Sequence, residues 1–277
     1  MNYSHLCFPG FLERAFTMSY DDGYAHDIKL VEIMNKYGVK GTFNLNSFFM
    51  GKDGGTEKGR RLSFDEAREL YAGHEIAAHG AKHKSLTEVS SEEGLYDVLE
   101  DRRVLESEFG AVVQGMAYAN GTFDDVAVEN LKKCGILYSR TCKATGGFAI
   151  PRDWLRLPPT CKHKAENLFE LLDEFLAPPK KSYLRPEPRL FYLWGHSYEF
   201  ALDNNWEIIE DFLSKIGNRD DIYYATNIEL YRYIKAYEAL VFGVNGNIIY
   251  NPTAIDLYLN VWGRKMIVHA GETVTFE

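Results

Sequence analysis

Phe16-Thr-Met-Ser-Tyr-Asp-Asp-Gly23 is an apolar, strand-like run that ends in two carboxylates and a glycine. Two other runs end in a similar way: His74-Glu-Ile-Ala-Ala-His-Gly-Ala-Lys-His83 on a pair of histidines, and Leu190-Phe-Tyr-Leu-Trp-Gly-His196 on one. Around them the chain alternates short β-rich segments with amphipathic helical ones. Strands are predicted at Ala15–Ser19, Lys40–Leu45, Glu75–His79, Val113–Tyr118, Ile136–Thr141, Leu190–Trp194 and Ile222–Thr226. Helices are predicted at His26–Tyr37, Ser63–Tyr71, Ser91–Phe109, Asp124–Cys134, Glu166–Leu176, Asn204–Ile216 and Asn227–Leu240. Ser63-Phe-Asp-Glu66 is a capping-box pattern, and Gly135 is a natural helix stop. Such alternation implies parallel βαβ units, and about seven of them fit a closed or nearly closed barrel. In barrels of this kind the reacting groups stand at the C-terminal ends of the strands, where these acids and histidines fall.

Two histidines four apart plus a carboxylate suit a divalent metal with positions left open for water and substrate. A second carboxylate beside the ion can act as general base, and a separate histidine as general acid. Each residue also has a plainer explanation. Asp21-Asp22-Gly23 fits a capped turn, His79 and His83 fit hydrogen-bonded loop histidines, and His196 fits a satisfied core histidine. The three groups taken together favour the metal site. His5, His26, His74, His163 and His269 lack such company and are read as structural, including the His of Cys161-Lys-His163.

The length of 277 residues allows one barrel-sized domain, and 45% hydrophobic residues can build its core. A net charge of −9, with no basic cluster, argues against nucleic acid as the partner. No apolar run is long enough to span a bilayer, and Met1-Asn-Tyr-Ser-His-Leu-Cys7 has neither a basic segment nor a long apolar one. A cytoplasmic protein without a membrane span is therefore expected. Cys7, Cys134, Cys142 and Cys161 are scattered and read as reduced thiols. After Leu240 the pattern changes. Val241–Tyr250 reads as two strands about Asn245-Gly246, followed by short strands at Ala254–Val261, Lys265–Val268 and Glu272–Phe276. The expected division is a barrel over 1–240 and a small β-rich extension over 241–277, packed on the barrel as a cover for its exposed edge.

The motifs resemble those of the polysaccharide deacetylases of carbohydrate esterase family four, which share the nodulation-factor deacetylase domain. Ser19-Tyr-Asp-Asp-Gly23 is similar to the family's first motif, His79-Gly-Ala-Lys-His83 to its second and Leu193-Trp-Gly-His196 to its fifth. The resemblance implies an α/β fold, a distorted (β/α)7 barrel of the polysaccharide deacetylase type with a small C-terminal β appendage. It implies that Asp21 is the base, that Asp22, His79 and His83 hold the metal, and that His196 is the acid. The implied metal is divalent, Zn²⁺ first, with Co²⁺, Ni²⁺ or Mn²⁺ as alternatives. Met116-Ala-Tyr-Ala-Asn-Gly121 stands where the third motif belongs and is similar to a Phe-Ala-Tyr-Pro-Tyr-Gly variant of it. The Asn120 N–H is then expected to bind the oxyanion, and Tyr118 and Trp194 to meet the substrate. The arginine that usually holds the base is missing from this stretch. Arg152-Asp-Trp-Leu-Arg-Leu157 is the nearest counterpart of the fourth motif, with Arg156 expected to replace that arginine and Asp153 to tune His196.

The implied activity is removal of an N-acetyl group from a sugar or glycan, and a cytoplasmic setting points to a nucleotide- or lipid-linked sugar in glycan assembly. The alternatives are a hydrolase of the same fold acting on a non-sugar amide or cyclic ureide, and a catalytically inactive glycan-binding relative. Fe(II) oxygen chemistry on the same two-histidine, one-carboxylate set is a further possibility. The sequence carries no signal for oligomeric state.

Overall fold

The computed structural model describes residues 3–53, 56–178 and 187–276. In chain order the strands are β1 (Leu6–Cys7), β2 (Arg14–Asp21), β3 (Gly41–Leu45), β4 (Glu75–Ala78), β5 (Gly115–Ala117), β6 (Tyr138–Arg140), β7 (Cys161–Lys162), β8 (Arg189–Gly195), β9 (Tyr223–Tyr224), β10 (Val241–Phe242), β11 (Ile248–Tyr250), β12 (Leu257–Val261), β13 (Arg264–Val268) and β14 (Thr273–Thr275). The helices are α1 (Asp27–Lys36), α2 (Phe64–Leu70), α3 (Ser91–Phe109), α4 (Asp125–Lys133), α5 (Leu168–Leu176), α6 (Ser197–Leu202), α7 (Trp206–Ile216) and α8 (Asn227–Glu238).

Seven parallel strands lie side by side in the order β6-β5-β4-β3-β2-β8-β7. β2 is central and buried from Ala15 to Asp21, which is why it reads as one continuous apolar run rather than an alternating one. The gap between the edge strands is spanned by the segment 157–160. Leu157 exchanges backbone hydrogen bonds with Ser139 and Thr141 on one side, and Thr160 N–H donates to Tyr192 O on the other. The barrel is thus closed by a connecting segment instead of an eighth full strand.

The (β/α)7 expectation holds, but one of its strands is a different one. The predicted strand Ile222–Thr226 shrinks to β9, a side branch paired only with Ala15 and Phe16 of β2. The seventh place in the row belongs to β7, two residues long and too short to show a period. Helix α6, directly after His196, was likewise not expected. The Ser63–Glu66 capping box forms as read.

The base of the barrel, where the strands begin, is plugged by the N-terminus of α8. Asn227 Nδ2 donates to the Tyr192 hydroxyl at 2.6 Å, and Thr17 donates to Asn227 Oδ1 at 3.0 Å. Glu75 accepts from Tyr138 OH (2.7 Å), Thr42 Oγ1 (2.9 Å) and the Ile228 N–H (2.9 Å). The C-terminal segment forms two three-stranded antiparallel sheets, β10-β11-β14 and β1-β12-β13. The second takes in β1 from the opposite end of the chain, with Leu6 facing Leu259. Leu6, Phe8, Ala15, Tyr192, Tyr233, Leu257 and Leu259 belong to one buried apolar cluster, so this segment is sewn to α8 and to the barrel base. The opposite ends of the strands are left to the loops that carry the acids and histidines.

Candidate active site

β2 carries Asp21 and Asp22 to the mouth of the barrel, where the backbone turns left-handed at Asp22 (φ 83°) and Gly23 (φ 67°). That turn lets adjacent residues aim at one space. Asp21 Oδ2 lies 3.8 Å and Asp22 Oδ1 4.0 Å from the same atom, His79 Nε2. Asp22, His83 (φ 54°) and Asn120 (φ 57°) all hold left-handed conformations. Each costs on the order of 1 kcal/mol, a strain that collects at functional positions.

The loop from His79 to His83 is clamped by α3. Asp101 accepts the N–H groups of His79 (2.9 Å) and Ser47 (2.8 Å), and Asp97, one turn earlier, accepts that of Lys82 (3.1 Å). Burial pushes the Asp101 carboxyl up to about 7. Gly80, at φ 77°, must lack a side chain, because a Cβ there would stand 2.7 Å from Asp97 Oδ2. Just after β3, Asn46 Nδ2 donates to the carbonyls of His79 (2.9 Å) and Gly80 (2.8 Å).

Asp22, His79 and His83 present ligand atoms that all lie within 4.8 Å of one another. His79 Nδ1 is 2.8 Å from Ala117 O, so the carbonyl takes the Nδ1 proton and the Nε2 lone pair faces Asp22. Burial, then the neighbouring His79, push the His83 imidazole down to about 4, which keeps it neutral and able to ligate. Asp22 Oδ1 is buried with no hydrogen-bond donor, 3.8 Å from His83 Nε2. An unsatisfied buried carboxylate oxygen facing two imidazole lone pairs is what a divalent cation would complete, so the residues fit one. The Arg61 guanidinium stands 3.5 Å from that oxygen and is itself bonded to the Asp22 carbonyl.

Asp21 takes no part in that triad. Its Oδ1 accepts from Asn44 Nδ2 at 2.8 Å, and its Oδ2 is paired with the Arg140 guanidinium and stands 3.8 Å from His196 Nε2. Burial alone would raise its pKa. The Arg140 charge, with His79, His196 and the Asn44 hydrogen bond, outweighs burial and holds the carboxyl below its ordinary range.

Several expected placements are corrected here. The arginine on Asp21 is Arg140, at the end of β6 and fully buried, not Arg156. Arg156 lies near the surface and pairs with Asp153 and Asp125. Asp153 caps the turn at Trp154–Arg156, and the carboxylate beside His196 Nδ1 is Glu199 on α6, at 3.5 Å. Tyr118 is buried, stacked on Phe123, and spends its hydroxyl on Leu155 O at 2.8 Å, so it is a packing residue. Trp194 is 7% exposed and lies under the Arg140 guanidinium at 4.2 Å, which makes it a floor for Asp21's partner rather than a sugar platform. Asn120 sits just after β5, its side chain bonded to Ser85 Oγ at 2.9 Å beside the His83 loop. The signal for Arg140 was present, because an arginine inside the predicted strand Ile136–Thr141 is buried only if paired. Glu199 gave no such signal, since α6 is six residues long.

The fold is a parallel α/β barrel that gathers its polar groups at the strand C-termini. Residues 11–139 match the family model for polysaccharide deacetylase. A candidate polysaccharide deacetylase from Mycobacterium smegmatis shares the fold, with a TM-score of 0.58 over 84% of this chain and 94% of that one at 16% identity. A deacetylase from Streptococcus pyogenes, solved in complex with acetate, gives a TM-score of 0.49 over 58% of this chain and 69% of that one at 17% identity. A pseudoenzyme of carbohydrate esterase family four from Bacillus anthracis gives 0.47 over 78% and 65% at 14% identity. No curated protein matches the chain. Among the described residues, no helix is long and apolar enough to cross a membrane.

Proposed function

We propose that this protein is a metal-dependent hydrolase that removes an N-acetyl group from a sugar or glycan. Asp22, His79 and His83 would hold the metal, and their N, N, O donor set suits Zn²⁺. A divalent ion bound there supplies Lewis acidity toward the acetyl carbonyl and the attacking water. The chain's own groups divide the proton work. Asp21, ionised because Arg140 holds it low, accepts the proton that water loses on attack. The Asn120 N–H is proposed to donate to the oxygen that becomes negative. His196 gives the proton on Nε2 to the departing sugar nitrogen, because an unprotonated amine leaves poorly. Amide and water become acetate and amine.

The observation that carries this reading is the position of Asp21 Oδ2, 3.8 Å from His79 Nε2 of the triad and 3.8 Å from His196 Nε2. A base set between a metal triad and an acid is arranged for hydrolysis, and binding alone needs neither the base nor the acid. The test is a substrate panel on the purified protein: N-acetylated sugars and glycan oligomers, simple amides, and cyclic ureides. Acetate released from the sugars, lost on chelation and restored by Zn²⁺, is the expected result. Turnover of ureides alone, or no turnover of any substrate by fully metallated protein, overturns it.

A further inference from the structure

Glu199 faces two histidines, not one. Its Oε2 is 3.5 Å from His196 Nδ1 and 3.3 Å from His163 Nε2, and its Oε1 takes the Lys162 ammonium at 2.7 Å. His163 Nε2, Glu199 Oε2 and His196 Nδ1 are all buried, and among the described residues none of them meets hydrogen-bond geometry with any partner, so these three atoms have only one another at close range. The three do not form a second ligand cluster of the kind made by Asp22, His79 and His83.

His163 lies just beyond β7 and is 2% exposed. Its ring is stacked between Tyr20 (5.7 Å between centroids) and Phe200 (4.1 Å). Its Nδ1 is 3.2 Å from the Tyr20 hydroxyl. Burial holds the imidazole below its usual range, so the ring is neutral and carries one proton. With the tyrosine donating to Nδ1, that proton sits on Nε2 and faces Glu199. Gly195 shows how closely the ring is fitted, because a Cβ there would run into His163 Nδ1. The glycine of Leu193-Trp-Gly-His196 therefore makes room for this second histidine.

A glutamate has rotatable side-chain bonds, and its pairing with the partly exposed Lys162 fixes it weakly. A buried neutral donor on the other oxygen stops the carboxylate from turning and adds no charge that would compete with His196. We propose that His163 is a positioning residue for His196, acting through Glu199: it fixes the carboxylate so that Oε2 takes the Nδ1 proton of His196 and Nε2 is left facing Asp21. Besides Glu199, the groups around His196 are Asp21, Tyr198 and Trp194. The structural part of the proposal stands alone; its catalytic consequence rests on the deacetylase reading.

The experiment uses ring-¹⁵N-labelled full-length protein and needs no substrate for its first readout. Neutral His196 in the wild type should show the Nδ1–H tautomer. His163→Phe keeps the stack but removes the N–H, and should give mixed tautomers at His196. His163→Gln, which can present an N–H toward Glu199, should restore the wild-type pattern. Glu199→Gln breaks the link from the other side and should reproduce the Phe result, whether or not the Phe variant folds. In turnover, His163→Phe should lower kcat on an N-acetyl sugar by about tenfold or more. KM, metal content and the rate on an aryl acetate, whose leaving group needs no proton, should be nearly unchanged. An unaltered His196 tautomer in both His163→Phe and Glu199→Gln overturns the proposal, as does an equal loss on amide and aryl ester. A wild type that shows the tautomer and its changes yet releases no acetate sinks the deacetylase reading and leaves the placement of His163 standing.

Discussion

At the scale of single residues, the site combines strain with unmet polar demand. Asp22 holds a φ of 83° with a buried, undonated carboxylate oxygen. Replacing it removes one of the three proposed ligand atoms, so Asp22→Ala and Asp22→Gly should both lose the metal when assayed by elemental analysis. They should differ in stability without metal. Glycine accepts that φ and alanine does not, so the Gly variant should be more stable by roughly 1 kcal/mol in urea unfolding. Equal stability would show that the turn is not strained. Arg140 makes a second residue-scale prediction. It is the largest influence holding Asp21 down against burial. In Arg140→Gln the Asp21 carboxyl should titrate higher, so the acid limb of the pH–rate profile should move to higher pH. An acid limb that stays in place would remove Asp21 from the rate.

At the scale of elements, helices lend groups to the strand ends. α3 clamps the His79–His83 loop at the mouth, and α8 plugs the base through Glu75. Burial pushes Glu75 from 4.5 up to about 7, against the hydrogen bonds from Tyr138, Ile228 and Thr42. Between those two values the folded state keeps a proton that the unfolded chain has lost, so this group's stabilisation is present at low pH and fades as pH rises through 7. Glu75→Gln has no such titration. Its cost in stability, from urea melts, should therefore be larger at pH 5 than at pH 8, and a cost independent of pH would contradict the shift. Elements also decide what was legible. β2, β4 and β8 announce themselves as apolar runs ending in acids or histidines, and α3 matches its predicted bounds of Ser91–Phe109. β7 has two residues and α6 six, too few to show a period, so Glu199 went unread and His163 was read only as structural. Asp153 and Arg156 were sought along the sequence near a motif, whereas Arg140 meets Asp21 through strand order from β6, and Glu199 meets His196 from three residues on, in α6. Neighbourhood across a sheet is not written in sequence distance.

At the scale of the whole molecule, the site and the C-terminal segment occupy opposite ends of the strands. β2 runs eight residues from Arg14 at the base to Asp21 at the mouth, so the two regions lie roughly 20 Å apart. Removing residues 243–277 takes away Ile249, Leu257, Leu259, Val261 and Val268 from the basal apolar cluster. The shortened protein should be less stable and less soluble, yet its folded fraction should still bind Zn²⁺. A well-folded truncation that loses only glycan affinity would make the segment part of the substrate site. The account as a whole turns on Asp21 as a base that is not a ligand. The most direct test is acetate release from an N-acetylated glycan oligomer by Asp21→Asn, with its Zn²⁺ content measured in the same preparation. An amide cannot accept the water's proton, so full metal with a rate lower by on the order of 10²–10⁴ is predicted. Wild-type acetate release from the metallated Asn variant would contradict the account, and so would loss of the metal.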